Sequence, residues 1–147
     1  MDFVTQNWPQ LAAYQLTLVC VGVLTGIVLV QSFLAGVFVL ARGEEMSGMP
    51  LTGDHTKRGF RIMRTYGNSA ENLPMLLGAV LVAVIAGASP LLVNGLVAFH
   101  VLMRIGFWYV YYTGTGKPGG GIRTLLYTFG LLANMVLVGV ALVALIS

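Results

Sequence analysis

Charge is what this sequence has least of: Asp, Glu, Lys and Arg together make up 9% of its 147 residues. A soluble domain draws roughly a quarter of its residues from those four types. With 57% of the chain hydrophobic and a mean hydropathy of +0.86, there is too little polar surface to face water on all sides, so lipid has to be the main solvent. Cysteine is nearly absent as well. The lone Cys20 sits inside the first apolar stretch, which excludes an intramolecular disulfide and leaves the redox compartment unreadable from cysteine usage. The net charge of +3 is too small to imply a nucleic-acid partner. No metal site is expected.

What the chain does have is long apolar runs. The first, about Leu11 to Leu40, far exceeds the roughly 7 to 15 residues of a signal-peptide core and has no basic segment before it, so it reads as a retained span. Asn7-Trp8-Pro9 suits an interfacial Trp and a Pro in the first helical turn. The whole chain, 1–147, reads as one all-α transmembrane domain with helices over about 11–41, 57–86, 91–112 and 122–146. Each meets the roughly 20-residue requirement for crossing about 30 Å of hydrocarbon. The Gly87-Ala88-Ser89-Pro90 turn is too short for helices two and three to be anything but antiparallel neighbours. Small residues four apart, Gly22 with Gly26 and Ala79 with Ala83 and Gly87, suit close helix packing.

The few cations are unevenly placed. Arg42, Lys57, Arg58, Arg61, Arg64, Lys117 and Arg123 all fall in or beside the first and third loops, while the other end of the bundle carries neither Lys nor Arg. The positive-inside bias therefore puts those loops in the cytosol and both termini outside. Arg42, Lys57 and Arg58 read as topology signals rather than ligands. Short termini without a basic tail lead to the expectation of a bacterial inner membrane.

Helical spacing sorts the remaining polar residues into stripes. Helix two carries Arg61, Arg64, Asn68 and Glu71; helix three His100, Arg104, Phe107 and Tyr111; helix four Arg123, Tyr127 and Asn134. Counting about 1.5 Å per residue from the uncharged ends puts Glu71 and Arg104 level, roughly 20 to 23 Å down, where an unpaired charge is expensive. A Glu71 to Arg104 ion pair is the expectation, with Asn68 taking up remaining hydrogen bonds. His100 reads as a satisfied interior histidine. Pro74 should bend helix two and free the carbonyl of Ala70. The stripes together describe a basic pocket holding one carboxylate, open to the cytosol.

The stretch Arg64-Thr65-Tyr66-Gly67-Asn68-Ser69-Ala70-Glu71-Asn72-Leu73-Pro74 resembles the R-x-x-x-N-x-x-E segment, followed closely by Pro, of the MAPEG family, the membrane-associated proteins in eicosanoid and glutathione metabolism. A second segment, Ile122-Arg123-Thr124-Leu125-Leu126-Tyr127 at the start of helix four, is similar too, as are the length, the four spans and the long polar first loop. The resemblance implies a homotrimeric four-helix membrane bundle that binds glutathione as co-substrate between subunits. It implies glutathione contacts from Arg64, Asn68, Glu71, Arg104, Tyr111, Arg123 and Tyr127, with Arg123 as the catalytic residue that activates the thiol. Several animal members have a basic residue at the position of Gly67 and a His at that of Tyr66, so eicosanoid specificities do not carry over.

Glutathione has two carboxylates and one ammonium, which several Arg groups and a single Glu complement. The expected activity is a membrane-bound glutathione transferase acting on lipophilic electrophiles that arrive through membrane lipid, with lipid hydroperoxide reduction as an additional activity. A non-catalytic lipid-binding scaffold of the same family is the alternative, although a scaffold has no need of Arg64, Asn68, Glu71 and Arg123 together. A small multidrug transporter fits less well, because Glu71 lies near one face only, whereas proton-coupled exchange needs a carboxylate reachable in turn from both.

Overall fold

The structure, a computed structural model, describes residues 6, 8–44, 49–51, 53–116 and 120–147. Four helices long and apolar enough to span a bilayer dominate them. Helix α1 covers Gln15–Ala35 and runs on through a π-helical turn, Gly36–Leu40; α2 covers Arg58–Ile85, α3 Pro90–Thr113 and α4 Gly121–Ile146. Among the described residues there is no strand. The last three boundaries lie within a residue or so of those read from the sequence.

The first helix differs from its expected span. Instead of one helix over 11–41, a short turn, Pro9–Ala12, is followed by a break at Ala13 and Tyr14. The break is held by a backbone carbonyl and a side chain some eighty residues away. The Tyr14 hydroxyl donates to the carbonyl of Ala88 in the α2–α3 turn. Asn94 accepts from the N–H and hydroxyl of Thr17, at 3.0 and 2.7 Å, and donates to the carbonyl of Ala13 at 2.9 Å. Backbone groups released by the break thus find partners within the protein, as they must where water is scarce. At the other end of α1, the N–H of Ala41 bonds the carbonyl of Gly36 and that of Glu44 the carbonyl of Val39, both five residues back, which widens the last turns into π geometry.

Helix α2 carries Pro74 in its interior, so the carbonyl of Ala70 lacks its helical donor. Pro90 opens α3 at a position where a missing N–H costs nothing. The helix closes at Gly114, whose φ of 69° is the left-handed conformation of a helix C-terminus.

Helix α4 packs along α3 and α2, while α1 covers α2 and α3 from the other side. The seam between them changes character along its length. Toward the α2–α3 turn it is Leu76, Ala79, Val80 and Ala83 of α2, Val93, Val97 and Val101 of α3, Leu137 and Ala141 of α4, and Leu24 of α1. Toward the basic end the same faces continue as Thr65, Asn68, Ser69 and Asn72 on α2 and His100, Arg104, Trp108 and Tyr111 on α3, all buried. In lipid the apolar half is held by close contact of surfaces rather than by escape from water, and Ala79 and Ala83 keep α2 near its neighbours. Gly22 and Gly26 do not take part: they lie on an exposed face of α1 with no side chain near either. Leu29, Phe33, Leu81, Leu91 and Ile146 are among the apolar side chains turned outward, as a bilayer allows.

Candidate functional site

The polar half of the seam opens to a cavity of about 450 Å³ at the basic end, lined by Arg64, Asn68 and Glu71 of α2, Phe107 and Tyr111 of α3, Arg123, Thr124 and Tyr127 of α4, and His55 from the loop before α2. Six of the seven residues singled out in the sequence line it. The seventh, Arg104, stands behind Asn68. Three helices converge because α2 and α4 both begin at this end and α3 finishes there.

Helix α2 brings Arg64, Asn68 and Glu71 to one side by their spacing of four and three. Arg64 and Glu71 are half exposed to well exposed, with Arg64 Nη1 3.7 Å from Glu71 Oε1, an ion pair across two turns. Asn68 is buried, and its Oδ1 accepts a 2.6 Å hydrogen bond from Arg104 Nη2. The expected Glu71 to Arg104 pair is therefore replaced by two separate contacts. Glu71 lies three residues beyond Asn68, about 60° around the helix, and turns to the open side where Arg64 meets it. Arg104 instead enters the seam, where a neutral amide meets the guanidinium without a second charge having to be desolvated.

Arg104 is only 2% exposed. Its guanidinium carbon lies 4.8 Å from the centre of the Phe107 ring and 6.0 Å from that of Trp108, so aromatic faces supply part of the compensation that water would give. Its Nη1 has no partner among the described residues. A second tie joins the same helices: Trp108 Nε1 donates to Ser69 Oγ at 2.8 Å, and Ser69 Oγ donates to the carbonyl of Thr65 at 2.9 Å. His100 is interior, as expected, but only one of its two ring nitrogens is satisfied, Nδ1 lying 2.8 Å from the carbonyl of Gly130 on α4. Its Nε2 and Asn134 Oδ1 are buried without partners.

On the far wall, the Arg123 guanidinium carbon sits 4.7 Å from the centre of the Tyr111 ring. The Tyr111 hydroxyl faces His55 Nδ1 at 3.4 Å, a long contact, and the two rings lie 6.0 Å apart. Phe107 lies between Tyr111 and Tyr127, with ring centres 5.3 and 6.1 Å away. A smaller cavity of about 230 Å³ shares His55, Tyr111 and Arg123 with the larger one.

His55 and Thr124 are site residues that the sequence reading passed over. Thr124 lies beside Arg123 on the first turn of α4, and a helical projection that included both neighbours of Arg123 would have found it. His55 had no such signal, because loop residues follow no period. It is placed by Arg61, whose Nη1 donates to the carbonyls of His55 and Thr56 at 2.9 and 2.8 Å. Just before it, the hydroxyl and N–H of Thr56 donate to Asp54 Oδ1 at 2.6 and 3.0 Å and hold that carboxyl below the usual carboxylate range. Residues 54–56 are thus held against the mouth of the cavity.

Two cations, one carboxylate, an amide, two phenols, a hydroxyl and an imidazole around one opening suit a small zwitterionic ligand with more negative than positive charge. Among the described residues no His, Cys, Asp and Glu gather as a metal site. Compared with known families, the chain matches the model of the MAPEG family over residues 17–143. No curated protein and no solved structure matches it.

Proposed function

The chain belongs to the MAPEG family, and on that premise we propose that it is a membrane-bound glutathione transferase presenting glutathione as a thiolate to lipophilic electrophiles. The observation that carries this reading is the meeting of Arg64, Asn68, Glu71, Tyr111, Arg123 and Tyr127 on one cavity. Its volume, about 450 Å³, falls in the roughly 300–1,000 Å³ range of small-molecule sites.

In this reading Glu71 takes the ammonium of glutathione, and Arg64 and Arg123 face its negative groups. Asn68 has given its side-chain oxygen to Arg104, so its amide N–H groups remain for a carboxylate or carbonyl of the ligand. Arg104 is then a positioning residue. A thiol with an ordinary pKa of about 8.5 is mostly protonated at neutral pH, and a guanidinium beside it favours the thiolate. A lowering of one to two units needs about 1.4 to 2.7 kcal/mol, within reach of one well-placed charge. The thiol proton leaves to water at the open mouth. The sulfur lone pair then forms a bond to the electrophilic carbon, and the leaving group departs with the electrons of the bond it breaks.

The exposed flank of Arg64 and Glu71 supports a further element of the proposal, a neighbouring copy of the chain in a homotrimer closing that side. The gathering of cations at the loop-one end supports an orientation with the site toward the cytosol.

Calorimetric titration of the detergent-purified protein with glutathione tests the reading first: saturable binding is expected, and its absence would overturn it. Arg123→Ala tests the chemistry. It should retain appreciable affinity while losing about 10- to 100-fold in conjugation of a chloro-dinitrobenzene at neutral pH. Its pH profile should move upward, because the thiol pKa rises toward about 8.5 once the cation is gone. Arg123→Lys should recover part of the rate as a point charge without the fork. An unchanged rate and pH profile in a correctly assembled Arg123→Ala protein would remove Arg123 from the chemistry.

A further inference from the structure

Arg42 and Arg58 have so far served only as basic residues at one end of the bundle. Together with Glu44 they also stand around a second cavity, of about 560 Å³, bounded by Leu34 and Phe38 of α1, Gly59 and Ile62 of α2, and Tyr112 and Thr113 of α3. It has no lining residue in common with the cavity of Arg64 and Arg123. The division falls within one dipeptide, Tyr111 lining the first cavity and Tyr112 the second.

Three observations describe what this cavity is fitted to hold. Glu44 is drawn to the start of α2: a Cβ placed on Gly59 would collide with Glu44 Oε2, and the free N–H groups of a first helical turn attract a carboxylate. Among the described residues neither Arg42 nor Arg58 then forms an ion pair. Second, the Arg42 guanidinium carbon lies 5.2 Å from the centre of the Phe38 ring, which sets a positive charge at the edge of an apolar wall. Third, the Tyr112 hydroxyl and the side-chain amide of Gln31, itself 3% exposed, are buried beside each other, and with only each other as partners among the described residues they leave donors of the amide over. Buried donors left unpaired inside a bilayer call for a ligand or water to complete them.

We propose that this cavity binds an anionic phospholipid of the adjoining leaflet. The phosphate lies between Arg42 and Arg58, an ester carbonyl accepts from the Tyr112 hydroxyl, and an acyl chain follows Leu34, Phe38 and Ile62. Two guanidinium groups match phosphate oxygens in both charge and geometry, and basic side chains at headgroup level favour anionic over zwitterionic lipid. A zwitterionic headgroup brings an ammonium toward two cations, and a free fatty acid brings no ester carbonyl for Tyr112.

The test compares retention of phosphatidylglycerol and phosphatidylcholine of matched chains by the full protein, read by native mass spectrometry from detergent. Two basic residues at about fivefold each predict a preference of roughly 25-fold for phosphatidylglycerol, falling as salt rises. The double variant Arg42→Gln/Arg58→Gln should lose the preference. Arg42→Lys/Arg58→Lys should keep most of it, so a loss of charge is told apart from a loss of fold. Tyr112→Phe should weaken both lipids alike and leave their ratio unchanged. Equal retention of the two lipids by the wild type would overturn the proposal, as would a preference that survives in the Gln variant or is indifferent to salt. Displacement of phosphatidylglycerol by an equal concentration of oleate would also overturn it, by assigning the two arginines to a fatty carboxylate.

Discussion

Asn68 and Arg104 illustrate how a charged side chain is kept inside this membrane protein. The arginine is buried to 2% exposure, and its one hydrogen bond to a described side chain, 2.6 Å long, runs to the Asn68 amide oxygen. A hydrogen bond involving a charged group contributes about 1.5 to 3 kcal/mol, so a double-mutant cycle of Asn68→Ala with Arg104→Met should return a coupling of that size in thermal or denaturant stability. The matching cycle for Glu71→Ala with Arg104→Met should return under about 0.5 kcal/mol, the level at which well-separated sites add. A large second coupling would restore the ion pair that depth alone suggested. Helical spacing and depth were sufficient to gather the right residues at one level, because both follow from the rise and turn of an α-helix. They did not settle which partner Arg104 takes, since that depends on a rotation of about 60° between Asn68 and Glu71 and on the cost of burying a second charge. Trp108 and Ser69 were similarly hidden. Their hydrogen bond needs the register of α2 against α3, which neither helix carries by itself.

The helices themselves were legible to within a residue or so, as long apolar runs bounded by Pro90, Gly114 and Gly121 leave little freedom in where a span begins or ends. The exception is the start of α1. Its interruption at Ala13 and Tyr14 depends on Asn94 and on the Ala88 carbonyl, and no local signal in residues 9 to 17 announces partners so distant. The end of α3 shows the opposite case, in which one residue type decides an element boundary. Gly114 has a φ of +69°, and a Cβ added there would lie 3.2 Å from the Arg61 guanidinium carbon. Arg61 in turn holds the carbonyls of His55 and Thr56, so the turn after α3 and the loop before α2 meet through a single guanidinium. Gly114→Ala should cost about 1 to 2 kcal/mol from the left-handed backbone alone. It should also move Arg61 and loosen His55 at the cavity mouth. Melting of the purified protein measures the first effect, and hydrogen exchange at His55 and Thr56 the second. A variant that melts with the wild type and protects both amides would show that neither constraint matters.

Across the described residues, charged side chains collect at one end and are absent from the other, and this asymmetry has a direct test of direction. The single cysteine makes it simple: in a Cys20→Ser background, Met49→Cys in the first loop and Ser89→Cys in the α2–α3 turn each carry one thiol. A membrane-impermeant maleimide applied to intact cells should label Ser89→Cys, and should reach Met49→Cys only after permeabilisation. The reverse pattern would invert the orientation. The same asymmetry sets a preference for bilayer thickness. Helix α2 has 28 residues, about 42 Å at 1.5 Å each, yet its cleanly apolar part, 73–85, covers only about 20 Å of a hydrocarbon layer roughly 30 Å deep. The first turns of α2, with Arg64, Asn68 and Glu71, therefore depend on a locally thinned or water-filled membrane edge. Each added ångström of acyl chain carries a hydrophobic-mismatch cost of a fraction of a kcal/mol, and it falls on the wall of the cavity proposed to take glutathione. Glutathione affinity measured in nanodiscs should accordingly weaken, by about threefold or more, as phosphatidylcholine chains are lengthened from short to long at constant headgroup, so that the membrane's own depth becomes a control on the site.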